Sequence, residues 1–550
     1  MSAFTKVAVL KPPRSVFDLS YEKKFDFDMG QLIPVCCEEM VPGDTFKVGN
    51  EIVIRFQPLV APVLHEVNAY VHYFFVPNRL IFDGWEDYIT GGVDGSDSTV
   101  LPRFDKGSYS PEKAYGPFSL YDYFGLPIMK DSLYNEYAIA GGHTLDTSDP
   151  TYYYRPLSFP WRCMNLIWNE YYRDETLQEE VDLDQPLVLH RNWSKDYFTS
   201  ALPWQQRSIV PPALPISGIL DVNFYSDYVK DPLSSFNAGG LVPVKDNKGN
   251  ESSKVLGIFS NSGSGEGVAK FGESYYQTGV SADVDLSGAA TVDVSELRLI
   301  FQLQKFLERN ARTGIRYTEF LHSHFSVSPR DDRLQRPEYL GGSKSPILIS
   351  EVTQTSNTSG ESTPIGRLAG KGITADKNYV CSYHAQEFGY LVGVLSVLPK
   401  PSYQQGIDAK WLRKSRIDWY FPEFAHLSEQ NIPEIQIYAQ PNDETTTIDD
   451  VSIGNGYNFG FQARFNEMRM NQNKVCGSLR DTLDYWHLGR QFASPPVLNS
   501  DFITMDADND DLKRIFAVQN VPGMICNFAN IITGIRPLPK FGEPGLIDHY

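Results

Sequence analysis

Apolar and polar positions alternate with a period of two in several stretches of this chain. Over residues 51–56, Ile52, Ile54 and Phe56 alternate with Val53, Arg55 and Gln57, and over residues 67–76 Val67, Ala69, Val71, Tyr73 and Phe75 share one face. Both patterns predict half-buried strands, separated by a loop holding Pro58 and Pro62. Residues 387–398 (EFGYLVGVLSVL) form a nearly continuous apolar run of strand length, which predicts a central strand buried on both faces. Further strands are expected over residues 433–439, 457–465 and 497–504, with a short one at 515–518. A different period marks Trp161, Met164, Ile167, Trp168 and Tyr171, spaced by three and four, which predicts a helix within 161–180 whose apolar face is core. Asp293-x-x-Glu296 has capping-box spacing and precedes the stripe Leu297, Ile300, Leu303, Phe306, Leu307; a helix is predicted from about residue 295 to 312. Residues 1–50 read as extended and irregular, and 86–160 as loop with short elements.

Widely separated strands, long connections and no strand–helix alternation point to a β sandwich rather than a doubly wound sheet. The 36 Pro and 42 Gly scattered through 550 residues support many turns and few long helices. Residues 221–294 change character, with 10 Gly, 11 Ser and an excess of acids over bases (10 against 5). Such a segment buries little and is expected on the outside.

The formal net charge of -19 opposes bulk attraction to a nucleic-acid backbone. Any enclosed DNA therefore needs another source of positive charge. Cys36, Cys37, Cys163, Cys381, Cys476 and Cys526 show no CxxC spacing, so neither a zinc site nor a disulfide framework is indicated, and a reducing compartment is expected. The apolar run at residues 7–10 is far shorter than a secretion-signal core, and no stretch approaches the ~18 apolar residues of a membrane span.

Enzymatic motifs are lacking. Gly366-Arg367-Leu368-Ala369-Gly370-Lys371-Gly372 has three residues where a P-loop has four, and Gly where Ser or Thr must meet magnesium. Asp506, Asp508 and Asp510 mimic the first ligands of a calcium loop, but Asp511 stands where Gly is required and Ala517 where Glu is. His322 and His324 would share one side of an extended chain; without a nearby acid or thiol cluster they are expected to be hydrogen-bonded structural histidines. No catalytic residue, cofactor or metal site is expected. Lys410, Trp411, Arg413, Lys414 and Arg416, followed by Trp419, form a dense basic and aromatic run. Cations for phosphates and indoles for bases are the general recipe for binding single strands; pairing with acids of the same or a neighbouring subunit is the alternative, and both stay open here.

One stretch organises the chain. Between residues 313 and 355, Tyr317-Thr318-Glu319-Phe320-Leu321-His322-Ser323-His324-Phe325 is followed by Arg330-Asp331-Asp332-Arg333-Leu334-Gln335-Arg336-Pro337-Glu338-Tyr339-Leu340-Gly341-Gly342. So many charges need partners or water, which predicts a fixed, charge-paired connection. Together with Tyr73-Phe74-Phe75-Val76-Pro77-Asn78-Arg79 and Asp196-Tyr197-Phe198-Thr199-Ser200-Ala201-Leu202-Pro203-Trp204-Gln205, this stretch closely resembles the major capsid protein of the Microviridae, best the Gokushovirinae branch. Asp418-Trp419-Tyr420-Phe421-Pro422-Glu423 and Asp484-Tyr485-Trp486-His487-Leu488 extend the match.

The resemblance implies an eight-stranded antiparallel jelly roll with long loop insertions and a few short helices, one domain over residues 1–550 with 221–294 as a surface protrusion. It further implies self-assembly into a T=1 icosahedral shell around a circular single-stranded DNA genome, in the virion of a phage made in the bacterial cytoplasm. The expected partners are other copies, the DNA, a small basic DNA-binding virion protein and a host cell-surface receptor; whether a scaffolding protein takes part is open. Arg330, Asp332, Arg333, Arg336 and Glu338 are the candidates for ordered loop or subunit contacts. A carbohydrate-binding or carbohydrate-cleaving β sandwich is the competing reading, to which aromatic richness also belongs.

Overall fold

A computed structural model describes residues 13–92, 98–127, 156–207, 222–226, 241–245, 251–257, 280–284, 294–313, 316–353, 355, 366–425, 429–439 and 458–541. The chain divides into two compact units, Met1–Arg207 with Glu308–Tyr550, and Ser208–Leu307.

In the first unit the chain lays down β1 (Ser15–Asp18), β2 (Tyr21–Phe27), β3 (Ile33–Met40), β4 (Thr45–Phe56) and β5 (Val67–Pro77) in quick succession. In the second unit, β6 (Val222–Ser226) pairs with β9 (Val280–Val284) and β7 (Leu241–Lys245) with β8 (Glu251–Gly257), both antiparallel. The first unit resumes with β10 (Glu338–Thr353), β11 (Leu368–His384) and β12 (Gly389–Pro399), then the short pair β13 (Gln430–Pro433) and β14 (Asn458–Gln462), and ends on β15 (Met524–Arg536).

The principal sheet runs β1-β15-β4-β11-β10-β5-β12-β3, with β2 also on β15 and every pairing antiparallel. β10 belongs to two ladders, its first half (Glu338–Ile347) on β5 and its second (Leu348–Thr353) on β11. The ribbon therefore folds there into two facing sheets. β1 and β2 occupy one position in series along β15, so the count is eight strand positions. Numbered along the chain, they stand in the orders 1-8-3-6 and 5-4-7-2, which is the jelly-roll arrangement predicted from the resemblance.

The alternation read in β4 and β5 points Phe46, Val48, Ile52, Ile54, Val67, Ala69, Val71, Tyr73 and Phe75 into the space between the sheets, with Phe27, Met524, Cys526, Phe528 and Ile532 facing them. Opposite the bend at β10, Asn530 Nδ2 donates to the Val35 carbonyl at 2.8 Å and Lys23 Nζ to the Pro34 carbonyl at 2.6 Å, which joins β15 and β2 to β3. Burial lowers the Lys23 ammonium to about 8.

Two long insertions complete the unit. Between β5 and β10, the helix Phe159–Ile167 lays Trp161, Met164 and Ile167 over Phe74, Val76, Val392 and Val394. The second face of β5 and β12 is thus buried as well, as the apolar run at 387–398 predicted. That helix passes into a π turn, Trp168–Tyr172, and stops there, short of the predicted limit of 180. The helix Val294–Arg312 agrees with its predicted bounds. A third cluster packs Tyr197 and Phe198 of the first insertion against Ile432, Phe459 and Phe502 of the second insertion, between β12 and β15.

Several local expectations fail. Residues 1–50 hold three regular strands and the start of β4. Residues 434–436 are a 3-10 turn and Ser500–Ile503 a helix; Asn499 caps the latter by accepting from the Phe502 N–H at 2.9 Å, so local side-chain bonding wins over apolar content there. Residues 512–515 are also 3-10. The glycine-rich stretch at 366–372 enters β11 and is no phosphate loop. Most of residues 221–294 lie outside the described residues.

Candidate assembly and nucleic-acid surfaces

The charged connection after residue 313 is ordered by helix and turn rather than extended. Tyr317–Phe325 is a helix ending at Ser326, which has φ 55°. Two residues apart on a helix point to nearly opposite sides, so His322 and His324 do not share a face. His322 Nδ1 lies 3.2 Å from Ser328 Oγ, and His324 Nε2 2.7 Å from Asn310 Oδ1. A 3-10 turn, Asp331–Leu334, then leads into β10. At the entry a bulge between Tyr339 and Gly341 places Gly341 at φ 135°, where a side chain would be strained.

The five candidates of this stretch divide by what they touch. Arg336 is an internal pin: its Nη2 and Nε sit 2.5 and 2.7 Å from Asp331 Oδ1, and its guanidinium lies 5.3 Å from the Tyr171 ring centre. Glu338 accepts from the Tyr383 hydroxyl at 2.9 Å. Burial raises its carboxyl, partly offset by that hydrogen bond. Arg330 and Asp332 pair with each other at 3.0 Å on the surface. Arg333 is exposed, and its side chain makes no ion pair with any described residue.

The basic and aromatic run at 410–421 is a surface ridge of three short 3-10 turns, Ala409–Trp411, Arg416–Asp418 and Pro422–Phe424. Asp418 holds the central turn, accepting from the Lys414 and Ser415 backbone N–H groups at 2.8 and 2.7 Å; these bonds lower its carboxyl. Apolar rings stand out from the ridge: Trp411 is 73% exposed and Trp419 57%, with Tyr420 and Phe421 also exposed. The Arg413 guanidinium stacks 4.6 Å from the Trp419 ring centre, and Lys410 Nζ lies 5.2 Å from Trp411. Lys410 is 3.5 Å from Asp408, while Lys414 and Arg416 pair with no described acid. Among the described residues, the alternative of pairing with acids of the same chain therefore applies to Lys410 alone.

Beside Trp411 lies a cleft of about 220 Å³ lined by Tyr403, Gln404, Asp408, Gln436, Lys474 and Arg480 among others. Ile407 N donates to the Ile435 carbonyl at 3.0 Å and Ala439 N to the Gln405 carbonyl at 2.8 Å, which clamps the 404–408 and 435–439 walls together. Gly406 is required there, because a Cβ would come within 1.9 Å of the Gln436 carbonyl oxygen. Sequence reasoning missed this cleft: its walls come from three segments, and glutamines carry no motif.

A larger cavity of about 660 Å³ opens near Arg191, Arg316, Glu175 and Tyr172. Its charges are mutually engaged: Arg316 lies 2.6 Å from Glu175, Lys195 contacts Asp174, and Arg191 stacks 4.7 Å from Tyr70. The acidic loop at 506–511 is likewise committed, with Asp510 bound by Trp193 and Arg490 and Asp508 by Lys513. No group of three or more potential metal ligands occurs among the described residues.

The capsid protein (F protein) family matches residues 5–546. The chain belongs to that family. Its relatives include a protein named capsid protein VP1 from Chlamydia phage 1, 34% identical over 99% of this chain and 97% of the relative. VP1 of Bdellovibrio phage phiMH2K is 30% identical over 100% and 98%, and VP1 of Spiroplasma virus 4 is 28% identical over 97% and 95%. A phage capsid protein of the Microviridae type, this chain is a structural component of the virion and not an enzyme. Such a protein works by self-assembly into a shell. Among the described residues, no helix of the capsid protein is long and apolar enough to cross a membrane.

Proposed function

We propose that the capsid protein closes into a T=1 icosahedral shell around a circular single-stranded DNA genome and holds that DNA on the ridge formed by Lys410, Trp411, Arg413, Lys414 and Arg416. The observation that carries the DNA contact is the coincidence, on a chain of net charge -19, of two cations that pair with no described acid, Lys414 and Arg416, with large exposed rings. Exposed indoles cost free energy in water. Stacking on bases recovers it, and Lys414 and Arg416 meet phosphates at the same time. An acidic shell cannot neutralise a genome from one ridge, so a small basic virion protein would share the task.

Subunit contacts are assigned to Arg330, Asp332 and Arg333, which leave the jelly roll on the exposed connection before β10. Arg336 and Glu338 set the shape of that connection from inside. Residues 221–294 are the proposed outer protrusion and host-contact region. Their Gly, Ser and acid content supports an outward position.

The test is sedimentation velocity of the recombinant protein, with electron microscopy of the fastest fraction, with and without single-stranded DNA. Closed shells of one size support the assembly reading, and shells that fail to retain DNA after Lys414→Ala with Arg416→Ala support the ridge. Large aggregates without closure, or shells whose DNA content ignores the double substitution, would overturn the respective part.

A further inference from the structure

Two side-chain oxygens of residues lining the cleft beside Trp411 have no partner among the described residues. Gln436 is only 8% exposed, and its Oε1 makes no hydrogen bond; Gln404 Oε1 is equally buried and equally unpaired, while the same side chain donates through Nε2 to the Arg480 carbonyl at 3.3 Å. A buried acceptor without a donor costs about as much as a lost hydrogen bond. Two of them in one cleft mark a place for a group that carries N–H donors.

The remaining lining narrows the choice. Lys474 and Arg480 stand on the same wall, and Asp408 is neutralised by contacts with both Lys474 and Lys410. Two cations and no free carboxylate disfavour a bare metal ion. Trp411 supplies an aromatic wall that continues outward onto the ridge. A flat ring bearing an amine, attached to a phosphate, meets all three demands. Once the two glutamine amides turn towards the cleft, the exocyclic amine meets their oxygens, the ring lies against the indole, and the phosphate lies near Lys474 and Arg480. Cytosine has such a donor at N4, whereas thymine presents an oxygen at the corresponding position. Thymine would set an acceptor against two acceptors.

We infer that this cleft is a nucleobase subsite that takes an amine-bearing base from a single strand bound along the ridge. This rests on the DNA-contact reading of residues 410–416, and it adds that the contact discriminates among bases. A second lobe of about 610 Å³ shares Gln404 and Arg480 and is lined by Phe492 and Gln491, whose Nε2 also has no partner among the described residues. A neighbouring nucleotide would enter there.

The experiment is fluorescence anisotropy of the full-length protein with fluorescein-labelled ten-residue oligomers of deoxycytidine and of thymidine at two salt concentrations. The expected result is tighter binding of the cytidine oligomer by roughly threefold to tenfold, the value of one net hydrogen bond. Gln436→Leu should erase this preference while leaving the affinity for the thymidine oligomer unchanged. Trp411→Ala, at an exposed position that does not threaten the fold, should weaken the cytidine oligomer more than the thymidine one. Equal binding of the two oligomers by the unaltered protein overturns the subsite while leaving the ridge as a strand-binding surface. So does a Gln436→Leu loss that is equal for both. Failure of both oligomers to bind overturns the subsite and the DNA reading together.

Discussion

Arg536 Nη2 lies 2.9 Å from Asp44 Oδ2, and that carboxylate is wholly shut off from solvent. The pair ties the end of β15 to the turn between β3 and β4, where Asp44 Oδ2 also accepts from the Val41 N–H at 2.9 Å. Arg536 completes the arrangement by donating to the Glu39 carbonyl at 2.9 Å and lying over Phe46. The last strand of the jelly roll is thereby fastened to the turn between its second and third. Removing the arginine strands a buried charge, so Arg536→Met should cost about 3–5 kcal/mol. Urea unfolding of the unassembled protein measures it, and a loss under ~1 kcal/mol would show that water reaches Asp44.

Arg333 and Arg336 stand three residues apart and should behave oppositely. Arg336→Ala removes the bonds to Asp331 and the stacking on Tyr171, and is expected to destabilise the folded protein by about 1–3 kcal/mol. Arg333→Glu touches no described partner and should leave stability within ~0.5 kcal/mol. If the exposed connection is a subunit contact, the Arg333 substitution nevertheless blocks shell formation. Thermal unfolding alongside sedimentation separates the two effects. Normal shells from Arg333→Glu would remove this residue from the interface.

The parts of the fold legible in the sequence were those whose burial is regular. β4, β5 and β12 announce themselves because one or both faces are packed along their whole length, and the helix Val294–Arg312 because its cap and stripe agree. β10, β11 and β15 escaped for the converse reason. The outer faces of β10 and β11 meet solvent, so Lys344, Ser350, Lys371 and Lys377 interrupt the apolar pattern, and β10 changes ladders half-way. Their pairing is set by distant strands that no local window contains. The same holds for the candidate surfaces. The basic ridge is contiguous and visible as a string, whereas its companion cleft depends on Gly406 letting residue 436 approach residue 404.

The six cysteines are all unpaired thiols, and their environments differ enough to be read chemically. Cys36, Cys163 and Cys526 are buried, and burial pushes Cys37 up to about 12 and Cys381 up to about 11. Cys476 is exposed at the rim of the H-bonded turn before Arg480. A thiol reagent such as DTNB at pH 8 should therefore modify one cysteine rapidly in the native protein and the others only on unfolding, since the thiolate is the reacting form. Cys476→Ser should abolish the fast phase, and two or more fast equivalents in the unaltered protein would contradict the burial of Cys37 and Cys381.

Acid should weaken the fold through two histidines held neutral. Burial lowers His65 and His72 to about 4, below the ordinary value near 6.5. His65 Nε2 lies 2.6 Å from the Lys400 carbonyl and His72 Nδ1 2.7 Å from the Tyr172 hydroxyl. In the unfolded chain both protonate as pH falls through about 6.5, whereas in the folded protein they resist until about 4. The unfolded state therefore binds more protons across that window, and stability that is complete above pH 7 declines as pH drops from 6.5 towards 4. The full loss is on the order of 3 kcal/mol per histidine. Buried carboxyls such as Glu38 and Glu434, raised chiefly by burial, act in the opposite direction, so the unaltered protein shows only the difference. His72→Gln isolates one contribution. Relative to the unaltered protein, its unfolding temperature should fall less between pH 7 and pH 4.5, and parallel curves for the two proteins would mean that His72 is charged in the folded state or that water reaches it freely.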